Sequence, residues 1–151
     1  MTGPEFDAWR AAAVTAYAHD VAHSYRLTAA EAAAKSNQSF DTLLTQGRNT
    51  PDHQVRMIED GSGAAVGHLW IAAERIEGRD RLYVYDVAII ESERGRGLGR
   101  EAMLLIEAEA RALGLDRIEL NVWPSNHVAH ALYRSLDFQE TSLGMVKLLG
   151  E

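Results

Sequence analysis

The sequence predicts a mixed α/β fold, with a mostly antiparallel twisted sheet that ends in a parallel pair and carries helices on both faces. Three observations point there. Apolar residues alternate with a period of two between His53 and Ile90, interrupted only by turn-forming clusters. From Leu98 to Leu113 they recur at three- and four-residue steps, the spacing of one helix face. A further strand pattern, Arg117 to Val122, follows that helix, and strand, crossover helix and strand in this order imply a parallel pair.

In chain order, the Ala-rich run from Phe6 to Tyr25, with Trp9 and Tyr17 at helical spacings, predicts a first helix. Thr28 with Glu31 three residues on is a capping-box pattern and starts a second helix through about Ala34, with a short helical turn from Phe40 to Leu44. Gly47, Asn49, Thr50 and Pro51 make a loop. His53 to Glu59 and Ala64 to Ala73 flank the turn Asp60-Gly61-Ser62-Gly63 as a hairpin, and the turn from Glu77 to Asp80 leads into a third strand, Arg81 to Ile90. Gly114 ends the central helix. Ser125 or Asn126 caps a last helix through about Leu136, and Phe138 to Leu143 and Met145 to Leu149 read as two closing strands.

A chain of 151 residues fits one domain, folding alone or as a small oligomer such as a homodimer. With 22 acidic against 15 basic residues and a net charge of -7, it has no basis for a nucleic-acid surface and would attract a cationic substrate. The absence of cysteine excludes disulfides, thiolate metal sites and a cysteine nucleophile, and fits a cytoplasmic protein. Neither a signal-peptide pattern nor a membrane-length apolar run is present. His19 and His23 lie one helical turn apart, but no third ligand accompanies them, so no metal is expected.

The segment Arg94-Gly95-Arg96-Gly97-Leu98-Gly99-Arg100 stands between the third strand and the central helix. Glycine lets backbone approach a ligand, and a helix start offers unpaired N–H groups to an anion. Three of the 15 basic residues fall in these seven positions. No Lys-Ser or Lys-Thr follows the glycines, which argues against a Walker-type nucleotide site. The preceding antiparallel strands argue against a Rossmann dinucleotide site.

Arg94-x-x-Gly97-x-Gly99 at this junction resembles the acyl-CoA signature of the GCN5-related N-acetyltransferases (GNAT), usually Gln or Arg, two residues, Gly, one residue, then Gly or Ala. Asn126, Ala129, Leu132-Tyr133 and Phe138 resemble the same family's closing motif. The likeness spans about Gln54 to Leu149. Residues 53–149 would then form an acetyl-CoA-binding core, and residues 1–52 a variable helical region on the acceptor side. The resemblance implies that the parallel pair splays, that backbone groups of Val87, Ala88 and Ile89 pair with the pantetheine arm, and that amides from Gly95 through Arg96, Gly97, Leu98 and Gly99 to Arg100 hold the pyrophosphate. Asn126 falls in the closing motif and joins this acetyl-CoA-binding set.

The same likeness makes Tyr133 the proton donor to the departing thiolate; its other role would be a half-buried helix Tyr packed on the sheet. Asp86, just before the pantetheine edge, is a candidate for taking the ammonium proton and could equally be a strand carboxylate tied to a neighbouring Arg or Tyr, and Glu119, on the next strand, could serve instead. Trp70 and Trp123 read as core or rim aromatics. Three departures from the family pattern stand out: no strand precedes Phe6, Asp137-Phe138 replaces Gly-Phe, and Asn121 occupies a position that is Glu in several relatives.

The expected activity is transfer of an acetyl group from acetyl-CoA to a primary amine by direct attack. A small cationic amine, a peptide N-terminus and a lysine all remain open as acceptor. The alternative is a CoA-binding or regulatory module that has lost catalysis.

Overall fold

The computed structural model describes residues 1–147 and 149. It contains helices α1 (Gly3–Tyr25) and α2 (Ala29–Leu43), strands β1 (His53–Glu59), β2 (Ala65–Ile76) and β3 (Arg79–Ile89), helix α3 (Leu98–Ala112), strand β4 (Ile118–Leu120) and helix α4 (His127–Arg134). The sheet order is β1-β2-β3-β4; the first two pairings are antiparallel and β3 with β4 is parallel. The predicted mixed architecture is therefore the one observed.

Both N-terminal helices start on self-contained caps. Thr2 and Glu5 exchange side-chain and backbone hydrogen bonds at the head of α1, and Thr28 and Glu31 do the same for α2. α2 runs on through Lys35-Ser36-Asn37-Gln38, where the sequence predicted a break. The reason is tertiary: Ser36 is fully buried and its hydroxyl donates to the Val14 carbonyl on α1 at 2.7 Å, so a polar residue becomes a packing contact. The β2–β3 turn is also tighter than expected, because Glu77 and Gly78 both take positive φ (51° and 80°), the geometry of a two-residue hairpin turn.

Two apolar layers enclose the sheet. On one face Leu69, Ile71, Leu82 and Val84 pack against Met103, Ile106 and Ala110 of α3, with Leu132, Tyr133 and Leu136 of the α4 region alongside. On the other, Trp70 packs against Phe6 and Trp9 of α1 and Phe40 of α2. Trp70 is thus a core residue, as read from the sequence, whereas Trp123 stacks loosely on Tyr17 and Tyr25.

The register of β2 on β3 slips once. Trp70 faces Asp86 but Ile71 faces Val84, which leaves Tyr85 as an extra residue in β3. Such a bulge turns the following side chain to the other face. Without it Asp86 would share the α3 face with Val84; with it, Asp86 points toward α1.

The two predicted closing strands are not found. Residues 138–147 and 149 carry no strand, and Leu143, Met145, Val146 and Leu149 are exposed; Leu148, inside the second predicted strand, lies outside the described residues. A strand needs a partner ladder, and β4, three residues long, offers little edge to build on. Among the described residues no strand precedes α1, in line with the missing N-terminal strand noted in the sequence.

Candidate active site

β3 and β4 pair only from Leu82 to Val84, opposite Ile118 to Leu120. Beyond that point the strands part, so the edge of β3 that would face β4 is open from Tyr85 to Ile89. Val87 and Ile89 flank Ala88 on this open stretch, as a strand-like ligand would require, whereas the carbonyl of Ala88 itself is turned toward β2. Gly67 of β2 backs it: a Cβ there would sit 2.3 Å from the Ala88 carbonyl oxygen and 3.1 Å from Ile89 Cδ1. A glycine inside a strand marks such a close approach, and this signal was passed over in the sequence.

The chain leaves β3 through a one-turn 3-10 helix, Glu91–Glu93, and enters the glycine loop. Gly95 and Gly97 both take positive φ (79° and 82°), and a Cβ added to either would meet nothing within 4 Å. No side chain caps α3. The N–H groups of Gly95, Arg96, Gly97, Leu98 and Gly99 have no protein partner among the described residues. A Cβ at Gly99 would lie 3.5 Å from Leu132, an ordinary contact, so packing there does not require glycine.

The arginines of this loop are less free than their number suggested. Arg94 donates to the Ile89 carbonyl at 3.1 Å and folds the loop back on the strand end. Arg100 reaches Ser135 beyond α4, and Arg96 pairs with Glu93. A cleft of about 460 Å3 lies beside Arg96 and Leu98, walled by the β1–β2 turn and not by the Asp86 region.

Asn126 caps α4, its Oδ1 accepting from the Ala129 N–H at 3.2 Å. The helix ends on Asp137 at φ 62°, so aspartate takes the left-handed position at which the motif usually has glycine. Tyr133 sits between, half-buried against Phe138 with ring centroids 5.6 Å apart, and its hydroxyl has no hydrogen-bond partner among the described residues. Burial pushes that hydroxyl's pKa up, and the nearby Asp86 charge adds to the effect. A phenol kept neutral and without a hydrogen-bond partner is free to donate its proton to a ligand.

Asp86 is the centre of a small polar cluster. Its Oδ2 lies 2.8 Å from His68 Nε2 on β2 and accepts from Trp9 Nε1 on α1 at 3.4 Å. The sequence marks Trp9 only as a residue of the first helix and gives no sign of a role for His68 at this site. The structure ties Asp86 to His68 and Trp9, while Glu119 stands apart, opposite Tyr83 in the register and engaged by Arg81 and by Arg117 at 3.1 Å. The Arg81 hydrogen bond holds the Glu119 carboxyl below the usual carboxylate range. No cluster of three or more His, Cys, Asp or Glu able to hold a metal occurs among the described residues, and no helix of these is long and apolar enough to cross a membrane.

The family model for the acetyltransferase (GNAT) family matches residues 16–138. The chain belongs to the GNAT acetyltransferase family. An uncharacterized GNAT relative, the N-acetyltransferase YdgE of Bacillus subtilis, is 31% identical over 149 residues, covering 99% of this chain and 95% of its own. The crystal structure of Bacillus subtilis YycN superimposes with a TM-score of 0.92 at 30% identity, over 100% of this chain and 96% of that one. An L-2,4-diaminobutyric acid acetyltransferase of Shouchella clausii is 39% identical over 59 residues, 38% of this chain and 33% of that protein.

This GNAT protein is accordingly an acyltransferase, and acyl-CoA-dependent N-acetyl transfer is the general reaction of its family. The residues present fit that co-substrate: a row of free amides at an uncapped helix start suits a pyrophosphate, and the open β3 edge suits an amide-bearing arm.

Proposed function

We propose that this protein transfers an acetyl group from acetyl-CoA to a primary amine, with residues 53–149 holding acetyl-CoA and residues 1–52 shaping the acceptor side of one domain. The observation that carries this reading is the run of unpartnered N–H groups from Gly95 to Gly99, which follows the open β3 edge after the single turn Glu91–Glu93. These amides would hold the pyrophosphate; the Arg100 N–H, which the sequence resemblance adds to the set, donates to the Gly97 carbonyl at 3.0 Å and closes the first turn of α3 instead. Val87 to Ile89 would pair with the pantetheine arm and bring the thioester near Asp86 and Tyr133. Tyr133 would then protonate the departing thiolate, a step its raised pKa serves by keeping the phenol neutral. Asn126 acts on this site by fixing the start of α4 and so the place of Tyr133.

The acceptor would be a small cationic amine drawn in by the net negative charge. The diaminobutyrate acetyltransferases among its relatives make that diamino acid a natural first member of a panel with L-lysine, putrescine and a peptide with a free N-terminus. The test is thiol release from acetyl-CoA with this panel. Turnover with at least one small amine is expected, and Tyr133→Phe should lower it by roughly 10- to 1000-fold while leaving acetyl-CoA binding in place. Acetyl-CoA binding without turnover on any amine would favour a CoA-binding module instead.

A further inference from the structure

Family membership leaves the proton acceptor open, and Asn121, the residue that follows β4, has no carboxylate to serve as one. We propose that His68 Nδ1 removes the proton from the acceptor amine and that Asp86 is the positioning residue that holds this imidazole, an inference that rests on the acetyltransferase reading above.

An ionised carboxylate only accepts, so at 2.8 Å the His68 Nε2 must be the protonated nitrogen. A neutral His68 therefore carries its lone pair on Nδ1, which has no partner among the described residues. The ring is fixed on two sides, by Asp86 and by the edge of Trp9 with centroids 6.4 Å apart, yet about a third of the His68 side chain stays accessible. Asp86 accepts from Trp9 as well, so its Oδ2 is committed to two N–H donors. Imidazole as a class binds a proton about 2–3 pKa units more tightly than a carboxylate, which makes it the better base near neutral pH. The arrangement is the orienting logic of an acid–imidazole pair, in which the carboxylate selects the tautomer.

Location agrees. His68 lies opposite Ala88 in the register, and Asp86 adjoins Val87, so the pair stands at the head of the open edge. The charged group in contact with the imidazole is Asp86 from β3, at 2.8 Å. α1 contributes only the uncharged Trp9, and β1 places Met57 opposite. Glu119, held by two arginines, is not part of this group.

In the reaction the ammonium gives one proton to Nδ1. The freed nitrogen lone pair forms the C–N bond to the acetyl carbonyl carbon as the C–S bond breaks. The sulfur takes the Tyr133 proton, the amide nitrogen loses its second proton, which returns the phenolate to phenol through water, and the His68 proton passes to solvent. One amide, one thiol and one released proton balance the ammonium and thioester consumed.

The experiment follows thiol release against pH, with the best amine of the panel, for wild type, His68→Gln and Asp86→Asn. Glutamine keeps an N–H for Asp86 but cannot act as a base. We expect His68→Gln to lose roughly 100-fold or more of kcat/KM below the amine's pKa, with the deficit shrinking above it, and an unchanged acetyl-CoA-induced rise in melting temperature. His68→Ala should regain part of its rate with added imidazole, a rescue that a purely structural role would not give, and it serves if the Gln variant folds poorly. Asp86→Asn should be slowed and also lower the pH at which Tyr133 ionises, since the carboxylate's charge raises that pKa. A wild-type profile for His68→Gln with a large loss in Asp86→Asn would overturn the proposal and make Asp86 the base. Wild-type profiles for both would overturn it in favour of water or pre-deprotonated amine. Failure of the acetyltransferase reading looks different: the wild type itself would release no thiol with any amine.

Discussion

The starts of α1 and α2 and the start of α3 present the same row of unpaired N–H groups and treat it in opposite ways. α1 and α2 close theirs within the chain, through Thr2 with Glu5 and Thr28 with Glu31. α3 begins on Gly97, at positive φ and without any side-chain cap, and the two residues before it add further free amides. A helix end left open in an otherwise well-capped protein costs stability unless something else occupies it. Closed ends hold α1 and α2 within the chain, whereas the end of α3 has no such partner, and in the proposed function it is the end that would receive the pyrophosphate.

The contrast can be broken most sharply at Gly97. Gly97→Glu places a carboxylate and a side chain at φ 82°, where the anion would sit, and should abolish the rise in melting temperature produced by acetyl-CoA. A variant that still responds like wild type would mean that the open helix start is not the binding end.

Gly67→Ala tests the other wall of the site. Its Cβ would collide with the Ala88 carbonyl, so the strand edge must move; a loss of about 1–3 kcal/mol in stability is expected, together with weaker acetyl-CoA binding. Unaltered melting and binding would show that β2 and β3 can part there at no cost.

The smallest effect belongs to the closed ends. Thr28→Ala should lower stability by about 1 kcal/mol, or about 2–4 °C in Tm for a chain of this length, while leaving the acetyl-CoA-induced shift intact. Hydrogen bonds from Thr28 hold the Glu31 carboxyl below its ordinary range. That contribution is complete above the unfolded carboxylate pKa and is lost as pH falls through the lowered folded value, so the gap between variant and wild type should narrow in acid. Melting curves at neutral and acid pH check both points.

What could be read from residues alone follows from how local each feature is. The glycine loop, the Asn126 cap and Tyr133 are fixed by short spacings at a strand–helix or loop–helix junction, and the sheet order by alternating and helical periods. The pairing of Asp86 with His68 is not local. It depends on the Tyr85 bulge, which reverses the face that Asp86 occupies, and on strands that are brought together only by the fold. Ser36 escaped for a similar reason, since a polar residue is buried only because Val14 offers it an acceptor. Phe138 to Leu149 shows the converse: alternation of apolar residues marks strand capacity, but no strand forms there among the described residues, where β4 is three residues long.

The central claim, that the open start of α3 and the splayed edge of β3 receive acetyl-CoA, is tested most directly by titrating acetyl-CoA into the wild-type protein by calorimetry, with melting temperature followed alongside. Saturable binding at one site per chain is predicted, with Tm rising by about 5–11 °C when the ligand stands a hundredfold above its Kd. No binding heat and no change in Tm at millimolar acetyl-CoA would contradict it.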